Sequence, residues 1–108
     1  MSESTPGWHR AATTAEVTED EPFALEIGGL KVALFKVDGE YFATGNVCTH
    51  AYALLSDGFQ DGCEIECPLH NARFDVRTGE AKSSPAEVPI PTYPVRVTGD
   101  AIDILLPT

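Results

Sequence analysis

The chain is expected to fold as an all-β domain, and three features of its 108 residues predict it. Runs that alternate apolar and polar residues, the mark of half-buried strands, recur along the chain. Turn chemistry separates them at Gly28-Gly29, Asp38-Gly39 and Thr98-Gly99-Asp100, supplying the left-handed backbone that tight hairpins need. No long stretch keeps a helical period, and there is no internal repeat or low-complexity tract.

Taken in order, residues 1–6 are polar, and Gly7 to Ala12 opens a first strand around Trp8. Thr13 to Glu21 reads as a loop that Pro22 closes. Phe23 to Ile27, Leu30 to Val37 and Glu40 to Thr44 form a meander; Gly45-Asn46 ends it and delivers residue 48 at a strand end. Ala51 to Leu55 is expected to make one helical turn, and Ser56-Asp57-Gly58 and Asp61-Gly62 are turn chemistry. Cys63 to Glu66 and Arg73 to Val76 are short strands, the second turned by Arg77-Thr78-Gly79-Glu80. In this reading residues 48–50 and 67–70 sit on two excursions from one small sheet. Residues 81–94 hold Pro85, Pro89, Pro91 and Pro94, which bars that segment from a sheet centre. Tyr93 to Val97 and Ala101 to Leu106 form the closing hairpin.

The length predicts a single domain over residues 1–108. Seventeen Asp and Glu stand against seven Lys and Arg, for a formal net charge of −10. Phosphate binding needs clustered cations, so nucleic acid and anionic membrane surfaces are poor partners. Acids near the candidate site, among them Asp57, Asp61, Glu64 and Glu66, suggest steering toward a basic surface. No apolar run is long enough to span a membrane, and the first ten residues lack a signal-peptide pattern; a cytoplasmic location is the expectation.

The chemistry concentrates in Cys48-Thr49-His50 and Cys67-Pro68-Leu69-His70, which sixteen residues separate. Thiolate and imidazole together suit iron–sulfur chemistry, zinc or copper. A mononuclear zinc site usually pairs Cys with Cys and His with His. Here each segment brings one sulfur and one nitrogen, which suits a two-iron centre of the Rieske [2Fe–2S] kind within about residues 45–76; a zinc-binding interaction module is the alternative. The third cysteine, Cys63, alternates with Ile65 and reads as a small buried hydrophobe. His9 reads as a partly exposed strand residue.

The run CTHAYALLSDGFQDGCEIECPLHNARFDVRTGEA, with the flanks GEYFATGNVCTH and PTYPVRVTGDAIDI, resembles the Rieske-type ferredoxins of multicomponent aromatic-ring dioxygenases. The resemblance implies a small antiparallel sandwich or barrel with an inserted cluster-binding subdomain. It implies one [2Fe–2S] cluster, with Cys48 and Cys67 on the inner iron and His50 and His70 on the outer. It implies a one-electron carrier, not a catalyst, between a flavin-containing NAD(P)H-dependent reductase and a terminal oxygenase. The Rieske small subunit of a nitrite reductase is the nearest alternative. Ala51 and Asn71-Ala72 stand where the family often has glycine, and part of residues 81–94 near Ser84-Pro85 is expected to cover the cluster. High-potential relatives carry two further cysteines, at the places of Ala53 and Leu69, and a Ser and a Tyr at the places of Ala72 and Phe74. Hydrogen bonds to cluster sulfurs favour the reduced state, so a chain without those hydroxyls is expected near the low end of the range of about −150 to +300 mV.

Overall fold

The long strands of this chain follow from two tight hairpins. In the computed structural model, which describes residues 7–48, 53–69, 72–82 and 88–106, β2 (Phe23–Ile27) turns through Gly28-Gly29 into β3 (Leu30–Val37). β3 turns through Asp38-Gly39 into β4 (Glu40–Gly45). Asp38 and Gly39 have φ of 50° and 83°, the left-handed pair that matches strand twist in a two-residue hairpin. Glu19 caps this turn: its carboxylate accepts from the Asp38 and Gly39 N–H groups at 3.2 and 2.9 Å. Part of the acidic run 19–21 is therefore structural.

Ten strands form three antiparallel sheets among the described residues. β1 (Gly7–Thr13), β10 (Ala101–Leu106) and β9 (Val95–Thr98) make the order β1-β10-β9. The second sheet runs β2-β3-β4-β8, with β8 (Thr92–Tyr93) at its edge. Between β4 and β8 the chain inserts the third, β5-β6-β7, from β5 (Phe59–Asp61), β6 (Glu64–Glu66) and β7 (Arg73–Asp75). This is the expected small sandwich with an inserted subdomain.

β3 explains why its own sequence alternates poorly. Val32, Ala33, Leu34 and Phe35 are all buried, because the strand is covered on both faces. Val32 and Leu34 enter a core with Ala12, Val17, Ala43, Ile102, Ile104 and Leu106. Ala33 and Phe35 enter a second core with Cys48, Leu55, Ile65, Cys67, Ala72, Phe74, Val76 and Ile90. One strand is thus the wall between a scaffold core and a site core.

Several sequence expectations need correction. The helical turn lies at Leu55–Asp57; the expected turn began at Ala51, and residues 51–52 lie outside the described residues. Asp61, read with Gly62 as turn chemistry, ends strand β5, which the sequence reading did not expect, because pairing with β6 overrides the glycines on either side. Cys63 lies in the turn before β6, half-buried, and the strand starts at Glu64. The strand expected over Tyr93 to Val97 is split at Pro94: β8 belongs to one sheet and β9 to another. A proline lacks the N–H for the ladder, and the chain changes sheets there. Gly45 is the last residue of β4, not its break.

Candidate metal centre

Each half of the candidate centre hangs from its own sheet, so the two segments are not excursions from one sheet as expected. Cys48 follows β4. Its stem is a narrow loop in which the Cys48 N–H donates to the Ala53 carbonyl at 2.9 Å and the Leu55 N–H donates to the Asn46 carbonyl at 2.7 Å. Buried Asn46 locks the stem: its amide donates to Ser56 Oγ at 2.9 Å and its Oδ1 accepts from the Ser56 N–H at 2.8 Å. Cys67 sits between β6 and β7, where its N–H donates to the Ala72 carbonyl at 2.6 Å. Gly58 lets the stems approach; a Cβ there would overlap the Glu66 carbonyl oxygen, one residue before Cys67.

The fold brings the two thiols together. Cys48 is 4% exposed and Cys67 0%, and their side chains are hydrogen-bond neighbours. Burial pushes the Cys67 thiol up to about 11; a hydrogen bond from the Leu69 backbone N–H pulls the other way, and neighbouring Cys48 raises it further. All three cysteines are free thiols. Two adjacent thiolates in an apolar core repel each other and are poorly solvated, so a cation bound between them is what makes both ionised. The Leu69 N–H aimed at sulfur favours the charged, ligating form. The paired soft donors therefore fit the sulfur half of a [2Fe–2S] centre. His50 and His70 lie outside the described residues, as do Ala51, Asn71 and the segment around Ser84-Pro85.

Around the thiols, Ala72 and Phe74 are fully buried and neither carries a hydroxyl. Ala53 and Leu69, where the high-potential branch carries its extra cysteines, leave the two stems without a disulfide. The nearby acids are less free than the sequence suggests. Arg73 gathers Asp61, Glu64 and Glu66 at 3.4, 3.2 and 2.9 Å, and these partners raise the Arg73 pKa, Glu64 most. Arg77 holds Asp75 at 3.0 Å and keeps its carboxyl below the usual carboxylate range. Neither Arg73 nor Asn46 was singled out from sequence; their roles depend on strand register and on a contact ten residues away. Gln60 ties the inserted sheet to the scaffold, its amide donating to the Lys36 carbonyl at 3.0 Å.

Comparison with known proteins agrees with this geometry. The model of the Rieske [2Fe–2S] domain matches residues 7–94. The ferredoxin component of a 2,4-dinitrotoluene dioxygenase system from Burkholderia sp. is 56% identical over 97 residues, 90% of each chain. A ferredoxin from Sphingomonas yanoikuyae B1 is 43% identical, with a TM-score of 0.89 over 94% of this chain and all of the other. A chain in the solved complex of reduced oxygenase and oxidised ferredoxin of carbazole 1,9a-dioxygenase is 31% identical, with a TM-score of 0.85 over 91% of this chain and 92% of that one. No helix among the described residues is long and apolar enough to cross a membrane.

Proposed function

This chain belongs to the Rieske [2Fe–2S] domain family, and on that premise we propose that it is a cytoplasmic one-electron carrier, passing electrons from a flavin-containing NAD(P)H-dependent reductase to a terminal aromatic-ring dioxygenase. It is the electron-transfer component of such a system rather than its catalyst, as the names of its relatives support. Residues 1–108 act as a single domain. Cys48 and Cys67 hold one iron and His50 and His70 the other. When bound, the cluster supplies a centre that takes up one electron and gives it up again.

The chain's own residues set the conditions for that exchange. The walls formed by Phe35, Leu55, Ile65 and Phe74 keep water from the thiols, which protects the sulfur ligands from hydrolysis and exchange. The Leu69 N–H stabilises the Cys67 thiolate. Ala72 and Phe74 offer no hydroxyl to the sulfurs, so the chain leaves the reduced state less stabilised, and the potential is low.

The observation that carries this reading is the pair of buried, adjacent thiols at the meeting of two loops. The test is electron delivery. Protein reduced with dithionite and freed of excess reductant is mixed anaerobically with the terminal oxygenase of the 2,4-dinitrotoluene dioxygenase system. Oxidation of the carrier in step with reduction of the oxygenase is expected. A carrier with a complete cluster that stays reduced beside the oxygenase would overturn the reading.

A further inference from the structure

The inserted sheet has two unlike faces. Gln60, Ile65 and Phe74 are in register and lie on the side of the site core. The alternate residues, Phe59, Asp61, Glu64, Glu66 and Arg73, lie on the outer side. Across that outer face Phe59, Glu66 and Arg73 form one row. The Phe59 ring is 69% exposed, the most of any large hydrophobic residue among those described. Burying such a ring in a partner removes a large apolar area from water, and nothing within the described chain uses it.

The charge around the ring is fixed and one-sided. Three carboxylates, Asp61, Glu64 and Glu66, surround a single guanidinium, Arg73, so two negative charges remain. The Arg73 contacts hold Glu64 and Glu66 in place and leave Asp61 outermost, its side chain 76% exposed. The row also lies at the end of the sheet where Glu66 runs straight into Cys67. A partner seated on Phe59 is thereby brought beside the second ligand loop.

We propose that this outer face, anchored on Phe59, is where the terminal oxygenase docks, through a basic surface that surrounds an apolar socket. The proposal rests on the carrier reading above. Charge complementarity selects a basic partner face. The oxygenase is chosen over the reductase because a chain of this fold is found in a solved complex with an oxygenase. The footprint is expected to be small, below about 1,200 Å², as suits a carrier that must let go.

The test follows the rate of oxygenase reduction against carrier concentration, with prereduced wild type and two variants and the terminal oxygenase of the 2,4-dinitrotoluene dioxygenase system as probe. Phe59→Ala is expected to raise the half-saturating concentration about tenfold while the limiting rate, visible spectrum and midpoint potential stay unchanged. Asp61→Lys is expected to raise it at low salt, the effect shrinking as salt is added. Both positions are exposed, and an unchanged visible spectrum shows that each variant keeps its fold. If both variants saturate with the wild-type concentration while the wild type reduces the oxygenase, the face is wrong and the carrier reading stands. If they instead impair only reduction of the carrier by a flavin reductase, the face belongs to the reductase and the proposal falls. A cluster-replete wild type that fails to reduce the oxygenase at any concentration removes both.

Discussion

The two cores that share β3 are built on different principles. The scaffold core is closed by strands of five to eight residues, β1, β2, β3, β4 and β10, and is lined by aliphatic side chains. The site core is closed by three strands of three residues each and by loops, and two of its buried members are thiols. Short strands close little ladder, and thiols add little apolar area. The scaffold core is expected to be stable by packing alone. The site core is expected to draw much of its order from the cluster that joins its two stems, because a group that binds only the folded form stabilises that form.

The largest predicted effect separates the two halves directly. Cys67→Ser should lose iron and visible absorption. Amide exchange in β5, β6 and β7 should then speed up by roughly tenfold or more, while β1, β3 and β10 keep their protection. Exchange that rises equally in both halves would merge the two cores into one cooperative unit. Cys63→Ser, in the turn before β6, should keep the centre.

A backbone change on the site side comes next. Gly58→Ala places a Cβ against the Glu66 carbonyl oxygen, backbone that cannot move without shifting Cys67. A loss of roughly 1–3 kcal/mol is expected, with an altered cluster spectrum. Ala at Gly28, where a Cβ meets nothing although φ is +58°, should cost about 1 kcal/mol and leave the spectrum alone. Thermal unfolding and circular dichroism in the visible range measure both.

A smaller effect concerns potential rather than stability. Ala72→Ser with Phe74→Tyr supplies the missing hydroxyls, and a midpoint raised by roughly 100 mV is expected within the Rieske range. The sign follows because a hydrogen bond to sulfur favours the more negative, reduced state. Both positions are fully buried, so hydroxyls that miss the sulfurs would destabilise the fold by about 1–3 kcal/mol without moving the midpoint. Electrochemistry and melting together separate the two results.

The smallest prediction is the acid response of one ion-paired carboxylate in each half. Asp75, held by Arg77, and Asp103, held by Arg10 and Arg96, both lie below the usual carboxylate range. A carboxylate depressed on folding contributes stability that is fully present above its unfolded pKa, about 3.9, and is lost as pH falls through the lower folded value. Asp75→Asn and Asp103→Asn should each flatten the acid limb of the stability curve below about pH 4, and each should lower stability at neutral pH by the amount its limb loses, since the contribution lost in acid is the one present there. A steep acid limb that survives both changes would place its origin elsewhere.

The scaffold half was the more legible from sequence, for the same reason that it is the more regular. Phe23–Ile27, Leu30–Val37 and Ala101–Leu106 have the bounds expected of them, because alternation and turn residues are local signals. Three residues cannot show a period, so the strand Phe59–Asp61 was missed, with Asp61 read as turn, and Glu64–Glu66 was extended back to Cys63. Pro94 was read inside one strand, although it marks the passage from the second sheet to the first. In the site, spacing alone singled out Cys48 and Cys67, and the fold puts their thiols side by side. The Arg73 cluster was not legible, since its three acids meet only once two hairpins are in register. The acids near the site were read as free charge for steering; Arg73 holds three of them. His50, His70 and the expected cover near Ser84-Pro85 lie outside the described residues, so those assignments rest on motif and family.

Iron and acid-labile sulfide, counted per chain in protein purified without oxygen, test the central claim most directly. The account predicts two of each, as a Rieske [2Fe–2S] centre requires, and their joint loss in Cys48→Ser. Zinc in place of iron, or iron without sulfide, would contradict it.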